Sequence, residues 1–583
     1  MAITLDVPRE ATARPLPTRR RSSWAIRGTA VFIGIVLIAL VVVPMGTLLV
    51  AAFTDSPPRP GAPLGSFTLE NLVALTSVGN RAALMNTVII GVCATVLALA
   101  IGATLAWISA RTDVPLRGLV QLAAIMPMFT SSLVGALAWS LLGSPEQGYL
   151  NIVLRGVGLP DLVNIYSLPG IIFVAGVYYS PYTFLLVHAA LSLMNPELEE
   201  AAYVHGAKFR DVVTNVTLKL AMPALLGAGT LTLVMITENF PIPQVLGSPQ
   251  GIQTMPTQIY QLMAMAPSRP NEASAAGAGL LVLTGVLVYV QRRVLASRDF
   301  TTVSGKGFKP TRQKLGVWRW PALSLAVLYA FVAVVLPTFA LLQSAFRNNP
   351  YTRDVAAMFA PNSFSMNNFR DVLMSDDLHS SLLNSLMIGL GTAVVGGAIY
   401  LLLGYYVHRT KGSGSRTFSY VAMWPAAVPA LVIGLGYLWS WSGVSIVYGT
   451  LAILILGFIG HLLPQGFQSI SSSLIQVHSD LEESAQVSGA SRLRAAWEIL
   501  VPLIRTGVVS TMLLLFILSM REISVAIFLF TSKTQPLSVA IYNTWETGRL
   551  PPVAAMSLIY IAVLVVLTMV SRRWFGVESD RTK

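Results

Sequence analysis

Two stretches of this chain pair acidic residues with a glycine at one fixed spacing. Glu200-Ala201-Ala202-Tyr203-Val204-His205-Gly206 has a near copy 283 positions later, Glu483-Ser484-Ala485-Gln486-Val487-Ser488-Gly489. Neither sets a nucleophile beside a base. The chemistry they suit is docking, by a short polar helix that stops at glycine. Asn195 and Pro196 suit the cap and first turn of the first helix, and Glu197 and Glu199 its positive end. Ser479-Asp480-Leu481-Glu482 reads as a capping box for the second. Each copy leads into an apolar stretch ending in proline, at Pro223 and Pro502. Pro223 lies four residues further from its glycine than Pro502 does, which predicts about one extra helical turn in the first copy.

A second group lies among apolar residues: Glu238, Asn239, Arg521 and Glu522. Ionisable groups at membrane depth are costly, so they usually face a cavity or a partner. Glu238 lies 32 residues after Gly206 and Glu522 lies 33 after Gly489, so the two carboxylates could face each other across a pseudo-two-fold axis. That makes the four residues candidates for a translocation path. The alternative places the glutamates near the external interface, or neutralises Glu522 through Arg521 or a neighbouring span. His188 and His461 read as hydrogen-bonded interior histidines, and the single cysteine, Cys93, as a core thiol. Ser304-Gly305-Lys306-Gly307 lacks the spacing of a phosphate loop. No metal-ligand cluster, nucleotide site or catalytic constellation is visible, so the chain does not read as an enzyme.

The elements that must position these residues are membrane spans. Of 583 residues, 54% are hydrophobic and 11% charged, against about 25% charged in soluble proteins. Lipid must be the solvent for much of this surface. Apolar runs predict twelve helical spans near 28–53, 85–109, 118–142, 169–194, 224–247, 272–292, 320–346, 383–407, 417–441, 450–473, 503–530 and 553–571. With both ends inside, cytoplasmic segments hold 29 of the 39 Lys and Arg and external segments nine. This bias sets the orientation and puts both glutamate–glycine loops in the cytoplasm. It also explains the net charge of +13 without nucleic acid. Six arginines precede span 1, whose apolar run is too long for a cleaved signal core, so it reads as a retained anchor.

The spans form a tandem repeat. Asn86-Thr87 pairs with Asn384-Ser385, Arg111-Thr112 with Arg409-Thr410 and Pro127 with Pro425, all at an offset of 298. Pro181 and Pro464, Glu200 and Glu483, and Gly206 and Gly489 share an offset of 283. The difference falls in the loop after span 3. Pro127, Pro181, Pro425, Pro429 and Pro464 are expected to kink their helices. The domain reading is a basic N-terminus (1–27), a first six-span unit (28–292), a basic linker (293–319), a second unit (320–571) and a C-terminus (572–583).

Glu-Ala-Ala, three residues, Gly, nine residues, Ile, one residue, then apolar-Pro resembles the signature of ABC-importer permeases of the type I fold. Glu483, Ala485, Gly489, Ile499 and Pro502 fit each step, and the first copy departs at its proline. The resemblance covers nearly the whole chain, once per half. It implies an all-α membrane protein of two tandem six-helix permease units in a bacterial inner membrane. It implies that Glu200, Ala201, Ala202, Gly206, Glu483, Ala485 and Gly489 form coupling helices. Their partners would be two copies of a cytoplasmic ABC ATPase subunit, which would carry the ATP and magnesium, and an extracytoplasmic substrate-binding protein would deliver cargo. Glu238-Asn239-Phe240-Pro241, the linker from Arg298 to Pro310, Arg521-Glu522-Ile523-Ser524 and Ile541-Tyr542-Asn543 lean toward the ferric-iron permeases. Thiamine, phosphonate, sugar-phosphate and polyamine permeases are similar there. A gradient-driven secondary transporter is the competing class. Its signature lies between spans 2 and 3, whereas here the repeated motif lies between spans 4 and 5 of each half.

Overall fold

In the computed structural model, residues 21–58, 63, 65–195, 197–296, 313–349, 352, 354–410 and 414–575 are described. The Gly305-Lys306 patch and most of the N-terminal arginines lie outside them. Among the described residues the chain is helical, with no strands beyond isolated bridges. Among the same residues nine helices are long and apolar enough to cross a membrane, and counting each of three bent helix pairs as one span gives twelve. The first half has Arg27–Ala52, Val78–Arg111, the pair Arg117–Phe129 and Ser132–Gly143, Leu168–Leu193, Phe209–Thr237 and Pro270–Val290. The second has Gly316–Ala345, Asp376–Arg409, the pair Ser415–Ala427 and Ala430–Trp441, Leu451–Ile475, the pair Ala496–Leu503 and Arg505–Arg521, and Leu550–Leu567. They are numbered spans 1–12 below.

Several expectations change. Spans 3 and 9 are not straight: their halves meet at 97° and 112°. Pro127 and Pro425 each sit in a tight turn just before the break, where the missing N–H and fixed φ of proline favour leaving the helix. Pro181 and Pro464 instead stay inside continuous helices. Spans 5 and 11 stop at Thr237 and Arg521, short of the expected 247 and 530. Beyond them the chain folds into short helices, Pro241–Gly247 with Met255–Ala264 and Ala526–Leu529 with Leu537–Glu546. Cys93 lies on the outer face of span 2, exposed rather than in the core.

The halves are not separate packing units. Span 1 lies between span 6 of its own half and the bent span 9 of the other. Span 7 repeats this, against span 12 and the bent span 3. Backbone groups must be satisfied internally in lipid, and the crossings do so. Tyr437 Oη donates to the Leu40 carbonyl at 2.7 Å, and Thr47 Oγ1 reaches Ser440 Oγ at 2.7 Å. Tyr329 on span 7 reaches Ser180 at 2.8 Å. At the span 9 break, the freed Ala427 carbonyl accepts from Thr284 Oγ1 at 2.7 Å.

Small residues permit these crossings. A Cβ added to Gly436 would sit 2.5 Å from the Pro44 carbonyl oxygen, whereas one on Gly227 would meet nothing within 4 Å. Gly436→Ala is therefore expected to cost about 1–3 kcal/mol by overpacking. Thermal unfolding in detergent should show a lowered Tm for Gly436→Ala and none for Gly227→Ala. Equal midpoints would show that the span 1 crossing is not close-packed.

Candidate functional site

The repeated loops form two short helices outside the spans, Glu197–Val204 and Asp480–Val487. Each stops by the same device. Gly206 has φ +82° and Gly489 φ +95°, the left-handed region that favours glycine. Gly206 N donates to the Tyr203 carbonyl and Ala207 N to the Ala202 carbonyl, at 2.9 and 3.0 Å. Gly489 N to Gln486 and Ala490 N to Ala485 repeat the pattern, both at 3.0 Å. This is a Schellman closure, and Ala202 and Ala485 each accept its longer bond.

The N-termini differ. Asn195 Oδ1 accepts from Glu197 N at 3.0 Å, as a cap should. Ser479 does not form the expected capping box. Its backbone is helical, φ −65° and ψ −24°, rather than the extended form a cap adopts; its hydroxyl makes no cap bond, and its carbonyl takes the Glu482 and Glu483 amides.

The residue before each signature glutamate fastens the helix to the spans. Glu199 is buried and pairs with Arg111 at 2.6 Å, while Glu482 pairs with Arg409 at 3.1 Å. Both arginines are the last residue of a long span, 2 or 8. Each also donates to carbonyls at the end of the next long helix: Arg111 to Met194, and Arg409 to Leu474 and Val477. A cation there complements the negative helix end. Burial pushes the Glu482 carboxyl above its ordinary value, against the pull of Arg409. Glu200 and Glu483 point outward and are exposed. So are Leu198 and Leu481, 49% and 48% exposed, and Val204 and Val487, 85% and 90%. Each helix thus shows the same acidic and apolar face to its surroundings. Sequence reading paired Arg111 with Arg409 but gave neither a role. The signal was an acidic residue one place before each signature glutamate.

No extra turn separates the copies. A wide helical turn follows at 213–217 and again at 496–500, both at the 283 offset. Lys219 occupies the place of Pro502, and Pro223 is a separate proline inside span 5.

The same register re-pairs the path candidates. Asn239 Oδ1 accepts from Ile242 N at 3.0 Å, and Glu522 Oε1 accepts from Ser524 N at 2.7 Å and Val525 N at 3.4 Å. Asn239 is thus the counterpart of Glu522, and Glu238 of Arg521, rather than Glu238 of Glu522. All four line one cavity of about 440 Å³, with Tyr179, Tyr182 and His461. Glu522 is not neutralised by Arg521. His461 Nε2 lies 3.7 Å from its Oε2, while Arg521 donates to the Thr130 carbonyl freed at the span 3 break, at 3.1 Å. Asn239 Nδ2 donates to Tyr179 Oη at 2.8 Å. Among the described residues, no hydrogen-bond or ion-pair partner holds the Glu238 carboxylate. His188 is hydrogen-bonded to Ser109 at 2.9 Å.

Beyond the ends of spans 5 and 11, aromatic residues cluster next to the cavity-lining Asn239 and Pro241. Phe240 packs on Tyr260 and Tyr542, with centroids 5.3 and 6.1 Å apart, and Tyr260 meets Tyr542 edge-on at 6.0 Å. Tyr260 and Tyr542 are counterparts on the helices Met255–Ala264 and Leu537–Glu546. Both hydroxyls donate to Glu546, at 3.4 and 2.6 Å. Each of these helices is capped by a long span. Thr87 Oγ1 accepts from Met255 N and Ser385 Oγ from Leu537 N, both at 2.8 Å. Asn86 donates to the Gln253 carbonyl at 2.9 Å, and Asn384 to the Lys533 and Gln535 carbonyls at 3.1 Å. Spans 2 and 8 therefore each hold one of these helices, Met255–Ala264 or Leu537–Glu546 (called the lid helices below), at one end and a loop helix at the other. Asn86 and Arg111 are 25 residues apart, as are Asn384 and Arg409, a rigid length of about 37 Å.

Comparison with known proteins agrees with this architecture. The ferric transport system permease protein FbpB of Actinobacillus pleuropneumoniae is 26% identical over 486 residues, covering 82% of this chain and 68% of that protein. A putative ferric transport system permease protein, FbpB 1 of Haemophilus influenzae, is 25% identical over 451 residues, covering 76% and 69%. A putative 2-aminoethylphosphonate transport system permease protein, PhnV of Salmonella paratyphi A, is 26% identical over 214 residues, covering 36% of this chain and 79% of its own. The family model described as binding-protein-dependent transport system inner membrane component matches twice, at residues 94–299 and 386–577. The chain belongs to that family: it is a permease component of a binding-protein-dependent ABC importer, with its two membrane units fused in one polypeptide.

Proposed function

We propose that this permease carries ferric iron, and that its two loop helices are the coupling helices on which two copies of an ABC ATPase subunit dock. Both termini then lie in the cytoplasm, and the two six-span units run over 28–292 and 320–571. The observation that carries the docking reading is the matched pair of capped helices. Each is pinned from behind by a buried arginine–glutamate pair and bare in front. An ordinary surface loop has no reason to repeat burial, exposure and turn geometry residue for residue. The ferric reading is supported by two ferric permeases among the relatives that match most of this chain, and by the two carboxylates on the cavity wall. Carboxylate oxygens suit a hard cation. An external binding protein delivers the ion to the side of the lid helices.

Motion follows from the geometry. When the ATPase subunits close, they draw the coupling helices together. Arg111 and Arg409 pass that displacement to spans 2 and 8. The far ends of those spans hold the lid helices through Asn86, Thr87, Asn384 and Ser385, so the lid shifts and the cavity changes the side to which it opens. Glu238 and Glu522 hold the ion in passage, while Asn239 and Arg521 fix the cavity wall.

With binding protein and ATPase in proteoliposomes, ferric uptake should fall about tenfold or more for Glu238→Gln or Glu522→Gln. A lost charged contact is worth roughly 1.5–3 kcal/mol. Unchanged ferric uptake in both variants would remove the path assignment. Uptake of 2-aminoethylphosphonate instead of ferric ion by the wild type would overturn the cargo.

Gly489→Val should insert normally yet lose most ATP-driven uptake. The turn at φ +95° is strained for a β-branched residue by about 1–3 kcal/mol, although the space beside it is open. Wild-type uptake in that variant would argue against docking at this helix.

A further inference from the structure

The two arginine–glutamate pairs are completed differently. In the second half, Tyr405 on span 8 lies beside the Glu482 carboxylate. At the 298 offset, Tyr405 corresponds to Trp107 on span 2. Trp107 has no hydroxyl to turn toward Glu199. Its indole N–H is buried without a partner, and its ring packs edge-on against Phe209 at 6.0 Å.

The place of the tyrosine is taken by a residue from the stretch joining the halves. Gln313 Nε2 donates to Glu199 Oε2 at 3.4 Å. Its backbone is stitched to the end of span 2. Gln313 N donates to the Arg111 carbonyl at 2.9 Å, and Asp113 N donates to the Gln313 carbonyl at 3.1 Å. Leu315 N donates to Asp113 Oδ1 at 2.8 Å. Asp113 corresponds to Lys411, which has no carboxylate to offer. Thr217 Oγ1 adds a bond to Glu199 Oε1 at 2.6 Å, where the second half has Leu500. Several substitutions between the halves thus coincide with the seat of the linker.

We infer that Gln313 is a positioning residue of the first coupling site: the end of the linker offers Glu199 the polar side chain that span 8 offers Glu482 through Tyr405. This rests on the docking assignment above. The linker is then a working part of one motor interface, and the two interfaces are held by different means. Loosening the linker weakens one site and spares the other.

The test uses the full permease with its ATPase and binding protein, in a Cys93→Ser background. The exposed tips carry Val204→Cys or Val487→Cys, each joined to the ATPase by a thiol-to-amine cross-linker. Gln313→Ala should lower the cross-link yield at position 204 several-fold and leave position 487 unchanged. Uptake per ATP hydrolysed should fall with it. Tyr405→Phe should do the reverse, lowering 487 and sparing 204. Trp107→Tyr placed in the Gln313→Ala protein should restore both the yield at 204 and the uptake ratio. Equal yields at 204 with and without Gln313, equal losses at both tips, or no recovery with Trp107→Tyr would overturn the inference while leaving docking intact. Absence of cross-links at both tips with all native contacts present would instead sink the docking assignment, and this inference with it.

Discussion

A buried arginine–glutamate pair, used twice, holds this molecule's working parts together. Arg111 and Glu199 are almost wholly withdrawn from water, and Arg409 and Glu482 nearly so. Taking such charges out of water is costly, and removing one partner leaves an uncompensated charge at a cost of about 3–5 kcal/mol. A tie of this kind gives little net stability but tolerates little displacement. Each guanidinium also collects carbonyls from the end of a neighbouring span, so three helices meet at one planar group. A short helix outside the spans cannot move without taking that corner along.

The other constraint is the stiffness of a long helix. Spans 2 and 8 are each 34 residues long and are capped into a lid helix at the far end. Between clasp and lid lies the cavity with its unpartnered carboxylate, walled by the breaks in spans 3 and 9. Those breaks expose carbonyls in the apolar interior, and side chains from other spans fill them: Arg521 takes Thr130, and Thr284 takes Ala427. The crossing of spans 1 and 7 binds the halves so that motion in one is felt by the other.

Much of this was legible in the sequence, and the rest was not for identifiable reasons. Span number, the repeat and the glycine stops follow from apolar length, fixed offsets and a φ that favours glycine, and all are found. Asn86-Thr87 and Arg111 stood out as repeated, but their partners lie 167, 168 and 88 positions away, and no local pattern names them. The bends in spans 3 and 9 were hidden because composition does not distinguish a straight apolar helix from a broken one. The short helices Pro241–Gly247 and Ala526–Leu529 were merged into spans 5 and 11 because they continue the apolar runs. The supposed extra turn came from treating Pro223 as the mate of Pro502, when the backbone register runs unbroken past both. Glu238 and Glu522 were matched across a one-residue difference in their distances from the glycines, 32 against 33, whereas the 283 offset pairs Glu522 with Asn239.

The most direct measurement is the distance between spin labels at the ends of the two lid helices, at Met265→Cys and Thr547→Cys, in the assembled transporter before and after ATP binding. If spans 2 and 8 carry the motion, the distance changes in the wild type. It stays fixed in an Arg111→Gln, Arg409→Gln protein that still binds its ATPase and hydrolyses ATP. The same ATP-driven change in that mutant would contradict transmission through the clasps.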